Sequence, residues 1–256
     1  MPTYENQRRM KIFIAENYEA MSKQAADDVM ELMQLRKSPL ICTASGDSPA
    51  GLYKELIGRV RTEQLRVNGW HFVGLDEWAG MNGEEEGSCR WHLNKQLFHP
   101  LNVAADHLCF FDGRASDFEA ECKLTENYIQ QHDCIDVAIV GLGLNGHIGM
   151  NEPGTSRHLH AHIAEIDVLT QQSGQKYFKE QRELTHGLTL GIADLMDARY
   201  VILLVSGKQK AGIVERVMEG TISEQVPASL MRQHTGFRVY LDKEAASMLH
   251  QSSHAE

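Results

Sequence analysis

The sequence predicts an α/β fold: a single doubly wound, mostly parallel sheet with helices on both faces. Three observations carry this. Short apolar runs alternate with amphipathic stretches almost from end to end, as strands joined by crossover helices do. Several runs are apolar or nearly so, Ile135 to Val140 (interrupted by Asp136 alone) and Tyr200 to Val205 most clearly, as strands buried on both faces read. No linker, repeat or low-complexity stretch divides the chain, so residues 10–256 are read as a single domain behind a polar, flexible extension at 1–9.

In order, Lys11 to Ala15 is a short strand, and Met21, Ala25, Val29 and Met33 mark one face of a helix. Leu40-Ile41-Cys42 is the next strand. It runs into Thr43-Ala44-Ser45-Gly46-Asp47-Ser48-Pro49, where Ser48 before Pro49 predicts a capped helix start. Leu52, Leu56 and Val60 give that helix its buried face. Trp70 to Leu75 is a third strand, ending at Asp76-Glu77-Trp78, and a glycine-rich acidic loop leads to a helix around Ser88 to Leu97. His107 to Phe111 is a strand, Phe118 to Gln131 a helix, and Ile135 to Val140 the fifth strand. The remaining strands are Ile163 to Ile166, Tyr200 to Val205 and Phe237 to Leu241. Helices are expected at Gly174 to Glu180, Ile192 to Met196, Lys208 to Glu219, Ala228 to Gln233 and from Asp242 onward.

A formal net charge of −10 offers no basic field for nucleic acid or an anionic membrane. The five cysteines, Cys42, Cys89, Cys109, Cys122 and Cys134, are scattered, odd in number and free of any CxxC. That usage fits a reducing compartment rather than a disulfide framework. No signal-peptide pattern or apolar run of about 18 residues is present, so a cytoplasmic protein is expected.

The candidate chemistry gathers at strand ends, where open α/β sheets bind ligands. Between Val140 and Thr155, five glycines alternate with Asn145, His147, Glu152 and Pro153. Imidazole moves protons near neutral pH, and a carboxylate beside it fixes its tautomer and charge. Gly141-x-Gly143-x-x-Gly146 matches a dinucleotide fingerprint in letters, but Gly149, Pro153 and Gly154 deny it the helix that a nicotinamide cofactor site needs. Ser45-Gly46-Asp47-Ser48 combines hydroxyls with a helix N-terminus, an anion cradle, although Asp47 opposes a phosphate. Taken alone, the loop reads equally well as plain helix capping. Of the neighbours Asp76 and Glu77, alternation lets one face a site. Lys208 and Lys210 follow a strand-to-helix turn; Lys210 can reach a phosphate, and Lys208 reads as solvated surface. His158, His160 and His162 alternate, yet no acid or Cys is spaced with them, so no metal site is assigned.

The run Gly141-Leu142-Gly143-Leu144-Asn145-Gly146-His147-Ile148-Gly149-Met150-Asn151-Glu152-Pro153-Gly154 closely resembles the signature of the glucosamine-6-phosphate deaminase (isomerase) family. So do Leu75-Asp76-Glu77-Trp78, residues 44–49, Leu188 to Arg199 and Gly207-Lys208-Gln209-Lys210-Ala211, in order across Met10 to Asp242. Within the family the sequence looks most like the galactosamine-6-phosphate isomerase-like members. The sister 6-phosphogluconolactonases share the Gly-His core and usually lack the Asn-Glu-Pro tail. The resemblance implies a Rossmann-like fold and conversion of an aminosugar 6-phosphate to a ketose 6-phosphate with release of ammonia. It implies no metal and no organic cofactor. By the same resemblance, Asp76 is the base moving a proton between C2 and C1, and His147, backed by Glu152 and Asn145, opens the sugar ring. The main chain at Gly141 contacts the sugar, and Ser45, Gly46, Asp47, Ser48 and Lys210 hold the phosphate.

The sequence departs from the family pattern in four places. Asn145 stands where Asp is usual, Asp47 where Gly is, Lys176 where a phosphate-binding Arg is, and Trp78 where Tyr is. These departures predict altered substrate choice or weakened deamination. Two rivals stand beside this reading: hydrolysis of a sugar-phosphate lactone, and a non-catalytic sugar-phosphate sensor. The gluco or galacto configuration and homo-oligomer formation are left open.

Overall fold

The computed structural model describes residues 10–34, 36–62 and 64–250; the extension at 1–9 lies outside them. The strands are β1 (Lys11–Ala15), β2 (Leu40–Thr43), β3 (His71–Gly74), β4 (Asp76–Trp78), β5 (Leu108–Cys109), β6 (Val137–Gly141), β7 (His162–Glu165), β8 (His186–Thr189), β9 (Tyr200–Val205) and β10 (Phe237–Asp242). The α-helices are α1 (Tyr18–Gln34), α2 (Asp47–Arg61), α3 (Cys89–Leu93), α4 (His99–Leu101), α5 (Phe118–Gln131), α6 (Val168–Gly174), α7 (Ile192–Asp197) and α8 (Ala211–Met218).

Seven strands form one sheet in the order β1-β10-β9-β6-β2-β3-β5, with every neighbouring pair parallel. Alternation within the buried runs divides the core in two. Leu40, Cys42, Ala138, Val140 and Leu203 pack to one side with Ile192, Val214 and Val217 of α7 and α8. Ile41, Val137, Ile139, Ile202 and Leu204 pack to the other with Met21, Ala25, Leu52 and Leu56 of α1 and α2. Helices therefore cover both faces, the doubly wound arrangement expected.

The chain steps outward from β2 through β3 to β5. It then returns to lay β6 on the other side of β2 and continues through β9 to β10. The carboxyl ends of β2 and β6 thus flank the point where strand order reverses, which is where such folds open a crevice.

Several elements differ from the sequence expectation. Asp76-Glu77-Trp78, expected as the end of the third strand, is a separate strand β4, edge of a second, antiparallel sheet in the order β4-β8-β7. Strand β8 was not foreseen. Helix α2 starts at Asp47 with Gly46 as its cap at φ 114, and no side chain caps it. Ser48 therefore sits inside the first turn, because the left-handed backbone that Gly46 permits starts the helix earlier. The expected helix at 88–97 is α3, capped by Ser88, whose Oγ accepts from the Trp91 N–H, and it continues through a π turn at Asn94–Phe98 into α4. The strand at 107–111 shrinks to β5. Among the described residues beyond β10, which run to 250, there are turns rather than a helix. The Asp242 carboxylate is committed to the Ser206 hydroxyl and to the Gly207 and Ala245 N–H groups. That anchors the turn after β9 instead of opening a helix.

Candidate active site

A cavity of about 900 Å³ opens at the reversal point. Its walls include Ser45, Gly46, Asp47 and Ser48 after β2, Asp76 on β4, Gly141 and His147 after β6, Lys176 after α6, and Lys210 before α8. Asn145 and Glu152 stand behind His147 rather than in the wall. The structure thus gathers the sequence candidates in one place, nine lining the cavity and two behind it.

The imidazole is held by a relay. The Asn145 Oδ1 accepts from the His147 backbone N–H at 3.1 Å and lies 2.8 Å from its Nδ1. Asn145 Nδ2 donates to Glu152 Oε2 at 2.7 Å. Because a backbone N–H can only donate, the Asn145 oxygen must face His147. Nδ1 then carries the proton, and Nε2 is the free acceptor. Thr170 Oγ1, from α6, meets the same Nδ1 at 3.0 Å. Glu152 is 3.6 Å from Nδ1, too far for a direct hydrogen bond. Burial works to raise the Glu152 pKa, but the adjacent His147 ring and the Thr170 and Asn145 side chains outweigh it and hold the carboxyl below its ordinary value. Room for the ring comes from Gly143: a Cβ there would lie 2.2 Å from His147 Nδ1.

Asp76 and Glu77 point to opposite sides of β4, as alternation requires. Glu77 is fully buried and accepts the Trp78, Cys89 and Arg90 N–H groups, so it anchors the start of α3. Burial pushes Glu77 up to about 7 against those bonds. Asp76 faces the cavity. Burial pushes its carboxyl up to about 6, with the Cys89 thiol and the nearby His147 ring pulling the other way. A carboxyl poised there is a proton acceptor matched to neutral pH.

The far end of the cavity is cationic. Lys210 donates to the Leu142 carbonyl at 2.5 Å. Burial, reinforced by Lys176, lowers its pKa to about 8 while Asp47 raises it. Lys176 is bonded to Asp47 at 2.5 Å. Lys208 lines no part of the cavity, in keeping with its reading as surface. The alternating histidines do not converge: His160 binds Asp194 at 2.7 Å, and His162 binds the His160 carbonyl. An acid partner for His160 does exist, from α7, where spacing along the chain could not show it.

Thr170, Cys89, His92 and Tyr177 also line the cavity and carried no sequence signal. Each arrives from an element whose position is set by tertiary packing. Ser206 could have been picked out from its place at the end of β9.

Comparison with known proteins agrees with this geometry. The sequence profile of the family described as glucosamine-6-phosphate isomerases/6-phosphogluconolactonase matches residues 15–240. A glucosamine-6-phosphate deaminase of Oceanobacillus iheyensis is 35% identical over 237 residues, 92% of this chain and 95% of the relative. One from Clostridium botulinum is 34% identical over 241 residues, 94% and 99% of the two chains. The solved structure of a monomeric glucosamine-6-phosphate deaminase matches with a TM-score of 0.90 at 33% identity, covering 93% of this chain and 100% of that one. With its strand order, its strand-end cavity and these relatives taken together, the chain belongs to the glucosamine-6-phosphate isomerase/6-phosphogluconolactonase family.

Proposed function

We propose that this protein is an aminosugar-6-phosphate deaminase/isomerase, converting a hexosamine 6-phosphate to a ketohexose 6-phosphate and ammonia. The observation that carries the reading is the shared cavity: Asp76, His147 and the Lys176/Lys210 end line one space. Ring opening needs a proton taken from the O1 hydroxyl and one delivered to O5, and His147 Nε2, fixed as an acceptor by the Asn145 relay, is suited to this exchange. Asp76 then removes the C2 proton of the open-chain sugar and returns a proton at C1, moving unsaturation to C2–N. Water adds to that imine carbon, and ammonia leaves to give the ketone. The phosphate, held by Lys210 and the N–H groups at the start of α2, supplies remote binding energy that holds C2 over the base.

Lactone hydrolysis would leave Asp76 with no proton to move. The names of the relatives favour the gluco configuration. Every residue the reading uses comes from one chain. The free cysteines support a reducing, cytoplasmic setting. The test is ammonia release from glucosamine 6-phosphate and galactosamine 6-phosphate, run beside acid release from a 6-phosphogluconolactone. Ammonia from either aminosugar supports the reading. Acid release alone transfers it to the lactonase branch, and ligand-induced thermal stabilisation without turnover marks a sensor.

A further inference from the structure

The cationic end of the cavity holds an arrangement that proton transfer does not use. The Asp47 carboxylate opens α2, and Lys176, on the opposite wall just after α6, donates to it at 2.5 Å. Both side chains line the cavity, yet they are 75% and 56% exposed, respectively. Exposed pairs of this kind are weakly held, since water screens the attraction and two flexible chains must be ordered to make it.

The backbone beneath Asp47 is fixed independently of its side chain. The Tyr18 hydroxyl donates to the Asp47 carbonyl at 2.6 Å and accepts from the Gly51 N–H at 2.6 Å. Across the loop, the Tyr177 hydroxyl would stand 3.3 Å from a Cβ built at Gly46. The carboxylate can therefore swing without disturbing the loop that carries it. Its place is one an anionic ligand would want: beside the free N–H groups of a helix start and within bonding distance of a lysine.

We propose that Asp47 is an internal counter-anion that competes with the substrate's phosphate for Lys176, so that this one residue sets how strongly the cavity holds a phosphate dianion. The proposal rests on the placement of the phosphate in the reading above and deepens it. Before a phosphate binds, Asp47 satisfies Lys176, which leaves Lys210 as the wall's other ammonium. On binding, the phosphate takes Lys176 over and the carboxylate turns outward. Asp47 thereby weakens binding twice, by occupying the lysine and by repelling the incoming charge.

The experiment measures the dissociation constant of inorganic phosphate, and its competition with glucosamine 6-phosphate, for four proteins: the unaltered chain, Asp47→Asn, Lys176→Met and the double variant. Circular dichroism checks the fold of each. At low ionic strength Asp47→Asn is expected to tighten phosphate by about five- to tenfold, shrinking as salt screens the exposed charges. Lys176→Met is expected to weaken it. In the Lys176→Met background, Asp47→Asn is expected to gain less, because only the repulsion is left to relieve. Unchanged or weaker phosphate binding by Asp47→Asn would overturn the proposal, showing that Asp47 orients Lys176 instead. If aminosugar turnover is normal in that case, the functional reading survives. If no form binds phosphate or turns over an aminosugar phosphate, the reading itself fails along with the proposal.

Discussion

Burial carries the Asp76 carboxyl from its ordinary 3.8 to about 6, and that has a consequence for stability. A carboxyl raised in the folded state contributes stability that is fully present below 3.8 and lost as pH rises through about 6. Above pH 6 the ionised Asp76 therefore costs the fold at most about 3 kcal/mol. Asp76→Asn removes that charge at nearly constant shape. At pH 7.5 the variant is expected to lose turnover by about 10²–10⁴-fold while its melting temperature rises by several degrees. Thermal denaturation beside the ammonia assay checks both. Full turnover in Asp76→Asn would remove Asp76 from the proposed chemistry. Residues of this sort were legible in the sequence, because an acid or imidazole at the end of an apolar run is out of place in a core. Thr170 was not legible. Nothing near it in sequence distinguishes it, and it reaches His147 only because α6 folds back over the cavity.

Among the elements, the loop after β6 fixes the imidazole by what it omits. Gly143→Ala would put a Cβ 2.2 Å from His147 Nδ1, a separation the ring can relieve only by leaving the Asn145 relay. The expected outcome is a loss of kcat of about tenfold or more, since small misplacements of a catalytic group are costly, with the far-ultraviolet circular dichroism retained. Unaltered kcat would show that the ring's position against Asn145 does not matter to the chemistry. The run feeding this loop was readable because Val137 to Val140 are buried on both sides. Strand β8, His186-Gly187-Leu188-Thr189, was not, having little local β signal. It is a strand because β4 and β7 pair with it on either side. The helix expected from Asp242 failed for a comparable reason: its carboxylate serves Ser206 and Gly207, residues distant in sequence.

For the whole molecule, two opposed titrations define a working range. In the proposed reaction Asp76 must be ionised to accept a proton, and burial raises it to about 6. In the same proposal Lys210 must be charged to hold the phosphate, and it is lowered to about 8, chiefly by burial. The pH profile of kcat/KM is expected to be bell-shaped, rising near 6 and falling near 8. In Lys210→Arg the alkaline limb is expected to move upward, because guanidinium stays charged; a limb that does not move would assign the fall to another group. The two side chains proposed to shuttle protons also stand on different sheets. Asp76 belongs to the small antiparallel one, whereas His147 hangs from β6 of the large one. The seam between them is fastened at Thr189, whose hydroxyl accepts from the Met150 N–H at 3.2 Å, and at Leu190, whose N–H donates to the Leu75 carbonyl at 2.9 Å. The gap across which a sugar is gripped is thus a joint between two rafts, not a property of either residue. Shifting that joint would reshape the space offered to a sugar while leaving Asp76 and His147 as they are.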